Sequence, residues 1–133
     1  MVRLTLSNKM INNFTDFTIK DKFKLQLSKI FKFCTIKGDS ILCSDILTKS
    51  GLPLVRIDSK EKTKALKIKI EGTGLTIQSI VNNTSERGLM NKIIEIIDEL
   101  VNSEWTIYID KDVSSGFWDH IKIKYPHLNW VTL

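Results

Sequence analysis

Proline is almost missing from this sequence: Pro53 and Pro126 are the only two among 133 residues. With so few chain breakers, regular structure is favoured along most of the length. Cysteine is as scarce, with Cys34 and Cys43 alone. In a protein without an export signal both are expected to be reduced, buried and apolar, so no disulfide framework is available. Histidine is limited to His120 and His127, with no Cys or carboxylate spaced around them as metal ligands, so no metal site is expected. Long apolar runs are lacking too. Each is broken by Lys, Asp or Asn well before the ~20 residues that a membrane span needs. Met1-Val2-Arg3-Leu4-Thr5-Leu6 has neither an apolar signal core nor a small-residue cleavage site. The protein is therefore expected to be cytoplasmic, and the sequons Asn13-Phe14-Thr15 and Asn83-Thr84-Ser85 are chance matches.

What is present is ordinary for a globular chain: 42% hydrophobic and 26% charged residues. The length suits one domain, residues 1–133, with no repeat or linker to divide it. The net charge of +5 is unevenly spread. Residues 1–70 hold 15 Lys and Arg against 6 Asp and Glu, or +9, while residues 71–133 hold 5 against 9, or −4. A basic half of this kind suits a polyanion, nucleic acid included, or an acidic protein. The aromatic residues do not interleave with the lysines in a way that would stack bases, and a solvated Lys-rich face explains the same pattern.

Periodicity supplies the elements. Val2–Leu6 alternates as a short strand would. Phe23, Leu27, Ile30 and Phe31 share one helical face, predicting a helix over 19–33. Lys37-Gly38-Asp39-Ser40 is a turn, and the surrounding Cys34–Ile46 suits either a hairpin or a strand followed by a short helix. Leu54-Val55-Arg56-Ile57-Asp58 reads as a strand. Leu66, Ile68 and Ile70 alternate with Lys67 and Lys69 in a half-buried strand. Glu71-Gly72-Thr73-Gly74 turns the chain, and Leu75–Val81 returns as the next strand. Met90, Ile93, Ile94, Ile97, Leu100 and Val101 mark an amphipathic helix of about four turns. Trp105, Ile107 and Ile109 mark a further strand. A short helix with Phe117, Trp118, Ile121 and Tyr125 on one side stops at Pro126, and Asn129–Leu133 closes as a strand. The three tryptophans, Trp105, Trp118 and Trp130, are expected to fill core.

Chemistry concentrates where strand Leu75–Val81 passes through loop Asn82–Arg87 into the helix that opens at Gly88. A helix N-terminus presents unpaired amides and the positive end of its dipole, a natural cradle for phosphate. A glycine there lets a ligand approach the backbone. A strand pair, a Gly-ended loop, a long helix, a strand and a short helix with an aromatic pair together resemble the GNAT family of N-acetyltransferases over residues 54–133. The resemblance implies an α+β fold with a mixed, mostly antiparallel sheet flanked by helices, and acetyl-CoA as co-substrate. It implies a cofactor site made of Ile80, Val81, Asn82, Ser85, Arg87, Gly88, Leu89 and Met90, with Trp118 on the short helix. Gly88 takes the place of the family's central loop glycine and Thr106–Asp110 that of its splayed strand. The partners implied are acyl-CoA and an amine acceptor, with no membrane, and the family admits a homodimer.

The chain also departs from the family. Met90 stands where a small residue is usual, and Glu86 adds negative charge with Arg87 as counterweight. Trp118 stands where a tyrosine general acid is usual, and an indole N–H does not give up its proton. Tyr125 or Tyr108 would have to supply one. Glu71 is the best-placed general base for deprotonating the amine.

Overall fold

A computed structural model describes residues 18–110 and 115–133. It is an α+β domain with a six-stranded mixed sheet and three helices among those residues. The expected strand at Val2–Leu6 lies outside them.

Helix α1, Ile19–Leu27, begins at a reciprocal cap. The Thr18 hydroxyl accepts from the Asp21 amide at 3.1 Å, and the Asp21 carboxylate accepts from the Thr18 amide at 3.3 Å. Phe23 and Leu27 are its buried face. The helix is shorter than its periodicity predicts. The Ile30 and Phe31 amides both donate to the Leu27 carbonyl, so the chain leaves the helix in a tight turn. Phe31 still reaches the core from that turn, which is why apolar spacing alone overruns the helix end.

Strands β1, Phe33–Lys37, and β2, Ser40–Ser44, form an antiparallel hairpin closed by Gly38 and Asp39, with Gly38 at φ 61°. The ambiguous segment is thus a hairpin. Lys20 crosses from α1 to this turn, its ammonium 2.9 Å from the Asp39 carboxylate. The hydrogen bond and charge of Lys20 hold the Asp39 carboxyl below its ordinary value. A carboxylate whose pKa is lowered by folding stabilises the fold above its unfolded pKa, and that contribution fades as pH falls through the folded value. Asp39→Asn is therefore expected to lower the urea midpoint near pH 7 and to lower it less near pH 2, below the ordinary aspartate range. Equal loss at both pH values would show that the effect is not ionic.

Residues 54–58 are a correction to the sequence reading. They form no strand: Pro53 makes one isolated bridge with Leu47, and the chain then runs irregularly to Lys64. Both edges of β2 and of the following strand are already occupied in the sheet, so the segment has no free neighbour there to pair with. Strands β3, Lys64–Glu71, and β4, Gly74–Asn82, follow as a hairpin with Gly72 at φ 56°. Helix α2, Leu89–Leu100, then buries Leu89, Ile93, Ile94, Ile96 and Ile97. Strand β5, Thr106–Ile109, helix α3, Ser115–Lys124, and strand β6, Asn129–Thr132, complete the order.

The sheet runs β1-β2-β3-β4-β5-β6. The first four strands meander antiparallel, whereas β5 pairs parallel to β4 and β6 parallel to β5. Parallel neighbours need crossovers, which α2 and α3 provide. Leu66, Ile68, Ile70, Leu75, Ile77, Ile107 and Ile109 join apolar residues from all three helices in one core cluster. The helices thus share one face of the sheet, and each such side chain contributes roughly 1.5–3 kcal/mol by leaving water. The opposite face carries Lys67, Lys69, Thr76, Thr106 and Tyr108. No helix among the described residues is long and apolar enough to cross a membrane.

Candidate functional site

Strand β4 changes character halfway along. Ile77 lies opposite Ile68 and Ser79 opposite Lys67, so Gln78 is an extra residue in the ladder with β3. A bulge of this kind bends the strand that carries it and increases its twist. Pairing between β4 and β5 stops at the same place. It runs from Gly74 and Thr106 to Ile77 and Ile109, with one further bond from the Asp110 amide to the Ile77 carbonyl. From Gln78 to Asn82, β4 runs on alone on that side among the described residues. The carboxyl ends of these parallel strands and the start of α2 lie at one end of the sheet, where ligands bind in open α/β sheets.

The loop that joins β4 to α2 is held by its own side chains. Asn82 Oδ1 accepts from the amide and hydroxyl of Thr84 at 3.0 and 2.6 Å, and its Nδ2 donates to the Glu86 carbonyl at 2.9 Å. The Glu86 amide donates to Thr84 Oγ1 at 3.1 Å. Asn83 anchors the other side by donating to the carbonyls of Asp58 and Glu61, each at 3.0 Å. The loop delivers Gly88 to the start of α2 at φ 80°, and no side chain caps that terminus. Nothing lies within 4 Å of where a Cβ on Gly88 would sit. Arg87 and Ser85 are exposed on either side of Glu86. Beside them a shallow cavity of about 600 Å³ is lined by Lys62, Asn83, Thr84 and Ser85.

Glu86 does not confront the loop as a bare charge. Lys64, only 8% exposed, donates to both of its carboxylate oxygens at 3.2 and 3.0 Å. The same ammonium lies 4.0 Å from Asp45 and 5.6 Å from the centre of the Phe31 ring, and Lys92 approaches Glu86 at 4.0 Å. The counterweight to Glu86 is thus Lys64, which leaves Arg87 exposed beside the open terminus. The sequence carried a signal for this lysine. Position 64 shares the parity of Leu66, Ile68 and Ile70, so it lies on the core face of its strand.

The remaining candidates are divided. Ile80 is half-buried beneath the helices, and Val81 lies opposite Ala65. Leu89 is buried, and Met90 is half-buried and packs on the core. Leu89 and Met90 can therefore offer backbone amides to a ligand while their side chains serve the interior. Trp118 is buried against Trp130, with ring centroids 6.2 Å apart. Tyr125, just past α3, is 8% exposed and accepts from the Trp130 indole through its carbonyl. Glu71 is the last residue of β3, opposite Gly74, and so lies a strand's length from Asn82, about 26 Å at the usual rise per residue. It pairs with Lys69 at 2.6 Å and lines a cavity of about 380 Å³ with Tyr108, Gly74 and three threonines. His120 is exposed, and His127 pairs with Asp98. No group of acidic, Cys and His residues among those described could hold a metal.

Compared with protein-family models, curated proteins and solved structures, the chain gives no match. Its function must be read from its own geometry.

Proposed function

We propose that this chain is a GNAT-like domain that binds acetyl-CoA along the free half of β4 and transfers the acetyl group to an amine. One observation carries the reading. The bulge at Gln78 coincides with the end of β4–β5 pairing, and the bared strand leads directly to the uncapped start of α2. The Gln78–Asn82 backbone can hydrogen-bond an amide-bearing pantetheine arm as a missing strand would. The amides after Gly88, with Arg87 beside them, suit a pyrophosphate. Catalysis would come from holding the thioester in line for the attacking nitrogen. The thiolate is a fair leaving group and takes its proton from solvent.

Titration calorimetry with acetyl-CoA tests this reading. Heat of binding in the micromolar range is expected, with thermal stabilisation of about 2.7 kcal/mol at a hundredfold excess over Kd. Arg87→Ala is expected to weaken binding by about tenfold through loss of one charged contact. Neither heat nor stabilisation at high-micromolar ligand would reject the proposal.

A second reading, a catalytically inactive GNAT-like module, is favoured by the positions of Glu71 and Tyr125, one remote from the loop and the other buried. Its partner would be a nucleic acid or an acidic protein met through the basic half, where Arg56 and Lys67 line one cavity and Lys69 another on the helix-free face. The two readings part in one assay. Release of free thiol from acetyl-CoA with polyamine, aminoglycoside or peptide amines supports transfer. Coenzyme binding without release in all of them, with heparin retention that falls steeply with salt, supports the module.

A further inference from the structure

Read from sequence, Cys34 and Cys43 are inert core residues. The sheet register places them directly opposite each other on β1 and β2. The two-residue turn closes on Lys37 and Ser40, the hydrogen-bonded pair nearest the turn. Alternation then makes Ile36–Ile41 and Cys34–Cys43 non-hydrogen-bonded pairs, the kind with Cα atoms about 4.5 Å apart and side chains closest. That separation falls within the ~4.4–6.8 Å span of disulfides. Both thiols are free and hydrogen-bond to each other.

We propose that Cys34 and Cys43 are a reversible redox pair that closes a disulfide across the β1–β2 hairpin when oxidised by a small-molecule disulfide of the glutathione type. Two further observations assign the roles. Cys34 is half-buried and so reachable from solvent, whereas Cys43 is fully buried. The Cys43 thiol donates to Cys34, and this bond lowers the Cys34 thiol pKa against the opposing effect of burial. The Ser28 hydroxyl and the Lys24 ammonium, both at the end of α1, lower it further, while Asp45 acts the other way. The same hydrogen bond, and then burial, push the Cys43 thiol well above its ordinary range. Cys34 is thus the attacking sulfur and Cys43 the resolving one.

The chemistry balances in two exchanges. The Cys34 thiolate attacks one sulfur of the small disulfide, forming a mixed disulfide and expelling one thiolate. Cys43 then gives its proton to that thiolate or to solvent and attacks the Cys34 sulfur. The second small thiol leaves. The two cysteines lose two electrons and two protons, and one small disulfide becomes two thiols.

The test uses the full chain, reduced and then exposed to excess oxidised glutathione under native conditions near pH 7.5, with free thiols alkylated before intact-mass analysis. Both alkylation sites are expected to disappear together. No glutathione should be retained, no cross-linked dimer should form, and dithiothreitol should restore both sites. Cys43→Ser is expected to trap one glutathione on Cys34, and Cys34→Ser to react at least ~10-fold more slowly because its remaining thiol is buried and protonated. Retained glutathione on the parent chain, two thiols that stay alkylatable, or a disulfide-linked dimer would each overturn the pair. Equal rates for the two variants would overturn the assignment of roles. Should a variant fail to fold, the parent chain alone decides the pairing.

Discussion

Lys64→Ala is expected to lower the unfolding free energy by about 2–3 kcal/mol, well beyond the ~0.5 kcal/mol of an ordinary surface lysine. The side chain is 8% exposed, and its ammonium is shared between Glu86 and Asp45 above the Phe31 ring. Removing it leaves two carboxylates facing each other across a half-buried space. A fully buried broken pair costs roughly 3–5 kcal/mol. Water still reaches Glu86 and Asp45, whose side chains are 32% and 23% exposed, so the lower figure applies. Urea titration of Lys64→Met, Glu86→Gln and the double variant separates charge from packing. The double variant is expected to be more stable than Lys64→Met alone, because no carboxylate at position 86 is then stranded. Lys64 also fixes the loop that presents Gly88, so Lys64→Ala should weaken acetyl-CoA binding about tenfold by loosening that loop. A variant as stable as the parent would show that the cluster contributes nothing to the fold.

Phe23→Ala is expected to cost about 3–5 kcal/mol, enough to threaten folding at ordinary temperature. Phe23 is fully buried and, with Leu27, is the buried face of α1. That helix has nine residues, too few to persist without tertiary contacts. Truncating its largest anchor removes a ring from the cluster that also holds Ile41, Cys43 and Ile94. Leu25, on the same helix but 57% exposed, is the matched control, and Leu25→Ala is expected to stay within ~0.5 kcal/mol of the parent. Similar urea midpoints for the two variants would mean that α1 is not docked as described.

These two sites divide the legible from the hidden. Phe23 and Leu27 stand out in the sequence because a helix face repeats every three to four residues. Lys64 also stood in plain view, on the parity of Leu66, Ile68 and Ile70, yet alternation cannot say which carboxylates will meet it. Glu86 is 22 positions away and reaches it only because β3 pairs with β4. The candidate site follows the same division. Gly88 at the start of a helix was readable from chain order and residue type. The bulge at Gln78 was not, because it exists only in the register of β4 against β3.

Local periodicity was enough for β3, β4, α2, β5 and the Gly72 turn, since each is specified by side-chain spacing or by a residue that tolerates positive φ. It failed at the end of α1, where Phe31 reaches the core from a turn, and at Leu54–Asp58, whose strand-like composition meets no free edge nearby. Pairing across the chain decided what lies opposite what: Cys34 against Cys43, Lys64 against Glu86, and β4 left bare beyond Ile77. Spacing along a chain reports which side of an element is apolar. Register and partner choice depend on where distant segments find room to hydrogen-bond, and only the assembled sheet settles that.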